Sequence, residues 1–238
     1  MRLFRKKAMG GRRKTVAFLL SAVLLPAAMG ALLAAAIAQP AAAQQVGLHE
    51  LAQRVDRHYN QLHTLKAGFS ESYDGMGMSR TESGTMLLAK PGKMRWDYTQ
   101  PTGKLFLLDG KYAWFYTRGS GQAQRAPAKQ LDDLRSPLRF LLGHTQLEKE
   151  LVNLALKANG NGTYTLSGQP KGQQQRVPRL AMTVTVEGTI LAIEAEENDG
   201  AITRFRFIGE QVDAPVSPSA FRLALPPGVR VVDALPPM

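Results

Sequence analysis

The amino-acid sequence predicts a mainly β protein with some α-helix, built on a curled antiparallel sheet. Turn signals recur after residue 67, and each separates two runs of strand composition: Asp74-Gly75, Asp109-Gly110, residues 159–162, Glu187-Gly188 and Asp199-Gly200. Apolar and polar residues alternate within these runs, so every predicted strand has one apolar face. A sheet of this many strands curls, and its apolar concave face forms either a packed barrel or a container.

The N-terminal segment, residues 1–43, predicts a secretory signal peptide. It contains seven basic residues and no acidic residue, and a long apolar run follows the basic part. A retained membrane anchor is the alternative, because the run approaches the roughly 20 residues that span a bilayer. Pro26 and Gly30 weaken that alternative. Arg12-Arg13 also permits a twin-arginine signal, although we favour the general secretory route.

Small residues permit cleavage of this segment after Ala38 or after Ala43, and we favour Ala43. Residues 44–238 are then expected to form a single soluble, exported domain. Seven of the 30 basic residues lie in the removed segment, whereas all 19 acidic residues follow it, so the formal net charge falls from +11 to +4. The remaining charges are of mixed sign, which argues against a nucleic-acid-binding protein. No cysteine occurs, so disulfides, thiolate metal sites and a lipidated cysteine are excluded.

The sequence contains little that is typical of an enzyme. The histidines do not recur at spacings that indicate a metal site or a catalytic base: His49, His58, His63 and His144. It has neither a Gly-x-Ser-x-Gly elbow nor a phosphate-binding loop. We therefore expect a protein without catalytic residues, cofactor or bound metal.

Residues 47–64 predict an amphipathic helix that comes before the strands. Apolar side chains recur there at spacings of three and four, with charged side chains between them: Leu48, Leu51, Ala52, Val55, Tyr59 and Leu62. The apolar stripe of this helix is expected to pack against the sheet.

The stretch from residue 84 to residue 101 predicts a β-hairpin, which we expect to be the central element of the sheet. Pro91-Gly92 favours a turn between residues 86–89 and residues 94–98. In the second strand one face is apolar and aromatic, whereas the other is charged; the apolar face carries Met94, Trp96 and Tyr98. The later strands alternate as well, and their apolar faces carry Leu180, Met182, Val184 and Val186, then Leu191 and Ile193, then Phe205 and Phe207.

Residues 136–143 predict a second, short helix. Ser136 is a good N-cap, Pro137 suits the first helical position, and Gly143 ends the pattern. Its apolar residues are Leu138, Phe140, Leu141 and Leu142. The pattern alone supports a connector between strands as well as a cover for the mouth of the curled sheet.

Several of these segments, taken in order, resemble the LolA family of periplasmic lipoprotein carriers over residues 48–233. The first is the series Lys90-Pro91, Arg95-Trp96, Tyr98 and Pro101. The later ones are Asp109-Gly110 with Trp114-Phe115-Tyr116, Pro137 with residues 140–143, Asp199-Gly200, Phe221 and residues 226–229. The resemblance implies an incompletely closed β-barrel with a short helical lid over an apolar cavity.

The resemblance also implies which residues form the site. The cavity that holds acyl chains is expected to be lined by Met86, Leu88, Lys90, Met94, Trp96, Tyr98, Trp114, Tyr116, Met182 and Val184. The lid is expected to consist of Leu138, Phe140, Leu141 and Leu142. Lys90 stands where the family has a basic residue, and it either latches the lid by hydrogen bonds to backbone carbonyls or extends to water from a turn.

The function implied is a soluble, monomeric carrier. It would take lipoproteins from an inner-membrane ABC transporter, shield their acyl chains, and deliver them to an outer-membrane receptor. An envelope lipid-binding sensor of the same fold is the alternative. Transfer of a lipoprotein to an acceptor membrane would distinguish the carrier from the sensor.

Overall fold

The computed structural model describes residues 46–129, 140–141 and 146–234. Its helices are α1 (Leu48–Gln61), α2 (Leu147–Glu150) and a 3-10 helix (Pro218–Phe221). The strands of this part of the chain are β1 (Thr64–Gly75), β2 (Met78–Ala89), β3 (Lys93–Gln100), β4 (Lys104–Asp109), β5 (Tyr112–Thr117), β6 (Gln122–Pro127), β7 (Leu151–Ala158), β8 (Thr163–Pro170), β9 (Arg179–Thr185), β10 (Ile190–Glu196), β11 (Ile202–Val212) and β12 (Arg230–Asp233). In the same residues, no helix is long and apolar enough to cross a membrane.

The strands form one sheet in the order β12-β6-β5-β4-β3-β2-β1-β11-β10-β9-β8-β7. Neighbouring strands are antiparallel, except that β12 is parallel to β6. Strands that follow one another in sequence pair from β1 to β6 and from β7 to β11, as expected for a meander. The β1–β2 turn falls at Met76-Gly77, because the predicted turn residues Asp74-Gly75 still belong to β1 and pair with β2. Within the described residues the outer strands β12 and β7 do not pair with each other, so the sheet is open. The predicted mainly β fold with an incompletely closed antiparallel sheet is confirmed.

Helix α1 lies against the apolar side of this sheet, as its amphipathic pattern predicts. Its buried residues are Leu51, Ala52, Val55 and Tyr59. The Arg54 guanidinium donates a hydrogen bond of 2.7 Å to the carbonyl of Val186, beside the turn between β9 and β10. A Cβ atom at Gly188 in that turn would lie 2.6 Å from the backbone carbon of Arg54. A glycine at this position therefore permits close contact between the helix and the turn.

The core is a single cluster between α1 and the apolar face of the sheet. Side chains from β1, β2 and β3 and side chains from β8, β9 and β10 belong to this same cluster. Since strands from both halves of the order contribute to one core around α1, the sheet curls around the helix. The apolar side of the sheet is therefore its concave face.

Strand β10 departs from the predicted alternation. Its pairing with β9 shifts between Ile190 and Ala192. Ile190 is buried before the shift, and Ile193 and Ala195 are buried after it, whereas Leu191 is half-buried. The prediction that Leu191 shares the core face with Ile193 is wrong, because the extra residue of a bulge changes the face on which the following side chains lie.

Candidate functional site

The candidate site is the concave face of the sheet, and strand register assembles it row by row. Met86 pairs with Trp96, Trp96 with Phe106, and Phe106 with Phe115. Directly opposite residues share a face of an antiparallel sheet, so this row crosses β2, β3, β4 and β5. The adjacent row contains Leu88, Met94, Leu108 and Ala113. Both rows are apolar, and most of their side chains are buried.

Trp96 is at the centre of an aromatic group on this face. Its ring centroid lies 4.3 Å from that of Phe69, 5.7 Å from that of Phe205 and 6.4 Å from that of Phe207, and all three pairs meet edge to face. Phe69 also contacts Tyr98, at 5.0 Å. Aromatic pairs in this geometry each add about 0.5–1.5 kcal/mol beyond the burial of their area. Phe69, Phe106 and Phe115 were not among the predicted site residues, since their positions depend on pairing between strands.

Met182 and Val184 extend the concave face on the other half of the sheet. Met182 pairs with Leu166 on β8 and with Ile193 on β10, and all three are buried. Val184 pairs with Ile190 in the same core. The structure therefore brings these two residues together with Met86, Leu88, Met94, Trp96 and Tyr98, which were predicted with them.

Trp114 and Tyr116 do not join this group. Trp114 pairs with Leu107, and the residue opposite Leu107 on β3 is Arg95, whose side chain lies on the convex face. Tyr116 pairs with Leu105 and has the same parity. The register of β4 with β5 therefore directs Phe115, between them, to the concave face. The prediction that Trp114 and Tyr116 line the concave face is therefore wrong.

The predicted lid lies only partly within the described residues. Leu138 and Leu142 are outside them. Phe140 and Leu141 are 3% and 1% exposed, and both belong to the core cluster on the concave side. Their position is compatible with a cover over the concave face, and their role as a lid stays a prediction.

Lys90 binds helix α1. Its ammonium donates a hydrogen bond to the backbone carbonyl of Tyr59, in the last turn of the helix. A cation at this end of a helix also interacts favourably with the helix dipole. Burial lowers the pKa of Lys90. The predicted contact of Lys90 with a backbone carbonyl is present, but the carbonyl belongs to α1.

The end of α1 is held at two further points. The Tyr59 hydroxyl donates a hydrogen bond of 2.8 Å to Glu210 on β11, and it accepts one of 2.9 Å from the N–H of Ile190 on β10. Burial, together with the nearby Glu210 carboxylate, raises the pKa of Tyr59. The Nε2 atom of His58 lies 2.6 Å from the other oxygen of Glu210. Hydrogen bonds therefore fix the position of α1 over the concave face.

A polar group interrupts the concave face beside the aromatic group. Glu71 on β1 pairs with Glu82 on β2, and the Lys104 ammonium forms a salt bridge with Glu82. The same ammonium lies 4.3 Å from the ring centroid of Tyr98, whose hydroxyl donates a hydrogen bond of 3.3 Å to Glu71. Burial is the largest cause of the raised pKa of Glu71, and the Glu82 carboxylate raises it further.

Replacing Glu71 with glutamine is expected to stabilise the protein at neutral pH. Folding raises the pKa of this carboxyl, so the folded state binds the proton more tightly than the unfolded state does. Protonated Glu71 therefore contributes to stability at low pH, and this contribution is lost as pH rises through the raised pKa. The urea midpoint of Glu71→Gln should exceed that of the parent at pH 7.5, and the difference should shrink towards pH 4.

The control for this prediction is Glu194→Gln on β10. Burial is the largest single influence and raises the pKa of Glu194, but the hydrogen bonds and the charges of Arg204 and Arg179 together lower that pKa by more. The control should therefore have the opposite sign and lower the urea midpoint at pH 7.5. Equal midpoints for Glu71→Gln and the parent at every pH would contradict the argument.

Among the described residues, no group of three or more histidine, aspartate or glutamate side chains is placed to hold a metal ion. The concave face instead presents apolar and aromatic side chains with one small polar group. Such a surface is suited to binding apolar chains.

Comparison with known proteins agrees with this geometry. The profile of the family described as outer membrane lipoprotein carrier protein LolA matches residues 60–224. The outer-membrane lipoprotein carrier protein of Nitrosospira multiformis is 30% identical over 173 residues, which are 71% of this chain and 82% of that protein. The protein of the same name from Chromobacterium violaceum is 29% identical over 210 residues, which are 88% of this chain and 97% of that protein.

A solved structure shares the fold. The crystal structure of an uncharacterized conserved protein from Thermus thermophilus aligns with a TM-score of 0.50 and 11% identity, and it covers 78% of this chain and 98% of that chain. At this identity the likeness concerns the fold alone. The family profile covers well over half of the chain, including β1 to β11 and the 3-10 helix. The chain therefore belongs to the LolA family of outer membrane lipoprotein carrier proteins.

Proposed function

We propose that the protein is a soluble carrier of lipoproteins and shields their acyl chains on the concave face of its sheet. The observation that carries the proposal is the large apolar and aromatic face, curled around α1, in a chain of the lipoprotein carrier family. The proposed lining consists of Met86, Leu88, Lys90, Met94, Trp96, Tyr98, Met182 and Val184, with Phe69, Phe205 and Phe207 beside Trp96. Trp114 and Tyr116 are not part of it, because they lie on the opposite face.

In the proposal the structure corresponds to the closed form of the carrier. Trp96 is 1% exposed and Met86 is 1% exposed, so the face that would receive acyl chains is covered. Loading then requires α1, or the segment with Phe140 and Leu141, to move away from the sheet. Acyl chains would replace the contacts that these side chains make in the closed form.

This exchange of protein contacts for acyl-chain contacts would allow the carrier to release a lipid that it has bound. Each buried methylene group contributes about 0.8 kcal/mol, so a rigid, preformed pocket would hold an acyl chain too tightly to give it up. A carrier that closes on itself when empty recovers apolar contacts as the lipid leaves. Met86, Met94 and Met182 suit such a surface, since the unbranched thioether side chain adapts to different neighbours.

The protein is proposed to act in the periplasm after removal of residues 1–43, with residues 44–238 as its single functional domain. The basic start and the apolar run of that segment support export. An inner-membrane ABC transporter would load the carrier, and an outer-membrane receptor would unload it. We propose that the carrier is monomeric and that it catalyses no reaction.

A transfer experiment tests the carrier function. The exported protein is incubated with inner-membrane vesicles that hold a labelled lipoprotein, and it is then mixed with acceptor vesicles that contain the receptor. Native mass spectrometry of the intermediate should show the lipoprotein bound to the protein, and the label should move to the acceptor. A protein that binds an acylated lipopeptide but never delivers the label would not be a carrier.

Lys90→Met is expected to increase affinity for a synthetic acylated lipopeptide about fivefold and to slow its release. In the proposal the hydrogen bond from Lys90 to Tyr59 belongs to the closed form, which competes with the ligand. Such a bond contributes about 1 kcal/mol, which corresponds to roughly fivefold in affinity. Dissociation rates from the parent and the variant measure the effect.

The control for this experiment is Lys66→Met, which replaces an exposed lysine on β1. Its affinity and release rate should match those of the parent. An unchanged release rate in Lys90→Met would show that the contact with α1 does not compete with lipid.

A further inference from the structure

A groove on the convex face of the sheet is separate from the surface that we assign to acyl chains. It has a volume of about 470 Å³ and is lined by Lys93, Asp109, Lys111, Trp114, Pro218, Phe221, Arg222 and Leu223. This volume is within the range of about 300–1,000 Å³ that is usual for ligand pockets. Trp114 and Trp96 lie on opposite faces of the sheet. A ligand in the groove would therefore not occupy the concave face.

The apolar part of the groove is held in place by polar contacts. The indole N–H of Trp114 donates a hydrogen bond of 2.8 Å to Asp109, and the guanidinium of Arg125 lies 5.4 Å from the indole centroid. Phe221, at the end of the 3-10 helix, is buried. Arg95 donates a hydrogen bond of 2.9 Å to the carbonyl of Ala220 and so ties that helix to β3. The two aromatic side chains therefore line a fixed apolar recess.

The charged part of the groove is positive. Lys93, Lys111 and Arg222 line it, and none of the three forms an ion pair with a described residue. Asp109 is the acidic residue of the lining, and its Oδ1 atom accepts hydrogen bonds of 2.7 Å from the backbone N–H groups of Lys111 and Tyr112. Its other oxygen accepts the bond from Trp114. Both oxygens of the Asp109 carboxylate thus accept hydrogen bonds from groups in and beside the turn. With three cationic side chains and one carboxylate, the groove retains an excess of positive charge.

The surroundings of the groove favour a peptide over a phosphate group or a bilayer. The backbone N–H groups of the Asp109 turn, which would be donors for a phosphate, are already bound to Asp109. The aromatic side chains are recessed. The most exposed large apolar side chains, Met76, Ile208 and Met78, lie at the distant β1–β2 turn and on β11, which is adjacent to neither β3 nor β4.

The backbone beside the groove offers a second feature that suits a peptide. Residues 223–225 are in no strand, and they form no hydrogen bond with the described part of the chain. A peptide bound alongside them would find backbone donors and acceptors that are still available, as in complexes in which an extended segment is added to an edge.

We propose that this groove binds an acidic segment of a partner protein in extended conformation. Carboxylates of the segment pair with Lys93, Lys111 and Arg222, and an apolar side chain between them packs against Trp114 and Phe221. The proposal does not rest on lipid carriage, because the two surfaces lie on opposite faces of the sheet.

Fluorescence anisotropy with a fluorescein-labelled peptide of alternating glutamate and leucine tests the proposal. The exported protein should bind it at low ionic strength and lose it at about 1 M salt, where the Debye length is only about 3 Å. Lys93→Gln and Arg222→Gln should each weaken binding about two- to fivefold, as expected for exposed ion pairs. Lys157→Gln, on strand β7 at the opposite edge of the sheet, should leave binding unchanged.

Three results would overturn the proposal. The first is absence of binding at low ionic strength, and the second is equal binding by the parent and by the Lys93 and Arg222 variants. The third is equal binding of a peptide in which glutamine replaces glutamate, since charge would then have no part. Vesicles of phosphatidylglycerol serve as a further probe. If they bind in place of the peptide and lose affinity in the same variants, the groove is a membrane contact and the proposal is wrong.

Discussion

Gly84→Ala is expected to destabilise the protein by about 3 kcal/mol or more, although it adds a single methyl group. A Cβ atom at this position would lie 2.0 Å from the carbonyl oxygen of Asp97 and 2.9 Å from the ring of Phe69. The first of these is backbone of the neighbouring strand, so relief requires β2 and β3 to separate. The pairing of β2 with β3 also shifts between Ser83 and Gly84, so the position lies at an irregularity of the ladder.

Urea unfolding of the parent and the variant measures this effect. The control is Gly121→Ala, because no heavy atom of a described residue lies within 4 Å of the Cβ position at Gly121. The control should change the unfolding free energy by less than about 0.5 kcal/mol. If Gly84→Ala were as stable as the control, the close approach of β2 and β3 at this position would be wrong.

Much of the fold could be predicted from local sequence signals. The turn signals and the alternation within most strands are properties of neighbouring residues, and they correctly predicted an antiparallel, meandering sheet. The periodicity of residues 47–64 predicted α1 to within three residues at its end. The parallel pairing of β12 with β6 had no such signal, because it joins residues 230–233 to residues 122–125.

The candidate site was predicted less completely, since it depends on register between strands. Trp96 and Met94 were found from parity within β3 alone. Trp114 has a similarly clear parity, but the face to which it points is decided by the pairing of β5 with β4. One signal for its position was available, since Asp109 stands five residues before Trp114 and accepts its indole N–H. Trp96, in the proposed acyl-chain wall, has no such polar partner among the described residues.

Lys90 shows a similar limit of sequence reasoning. Its type and its place before Pro91 left two alternatives, a hydrogen bond to backbone carbonyls of the lid or a side chain that extends to water. Which carbonyl it reaches depends on where α1 lies, and that is set by contacts such as the one between Tyr59 and Glu210. These residues are separated by 151 positions in the chain. A long-range contact of this kind leaves no periodic pattern.

The proposed lipid-binding wall and the folding core are the same surface. Met86, Trp96 and Met182 belong to the buried cluster that packs around α1. Substitutions in the wall should therefore change stability and lipid binding together, and a loss of binding in such a variant has to be compared with its loss of stability. Conservative pairs of variants separate the two effects.

Trp96→Ala is expected to lower the unfolding free energy by about 3–5 kcal/mol, the usual cost of truncating a large buried aromatic side chain. The indole is 1% exposed and contacts Phe69, Phe205 and Phe207. Chemical denaturation of the exported protein measures the loss. We also expect the variant to bind an acylated lipopeptide at least tenfold more weakly, because the proposed wall loses its largest side chain.

Trp96→Phe should cost much less stability than Trp96→Ala, for a reason specific to this site. The indole N–H of Trp96 is buried and has no hydrogen-bond partner among the described residues. An unsatisfied buried donor costs about 1–3 kcal/mol, so phenylalanine removes a penalty while it keeps most of the ring packing. The control is Trp114→Phe on the convex face, which should leave lipopeptide affinity unchanged. Equal losses of affinity in Trp96→Phe and Trp114→Phe would place the acyl chains elsewhere than the concave face.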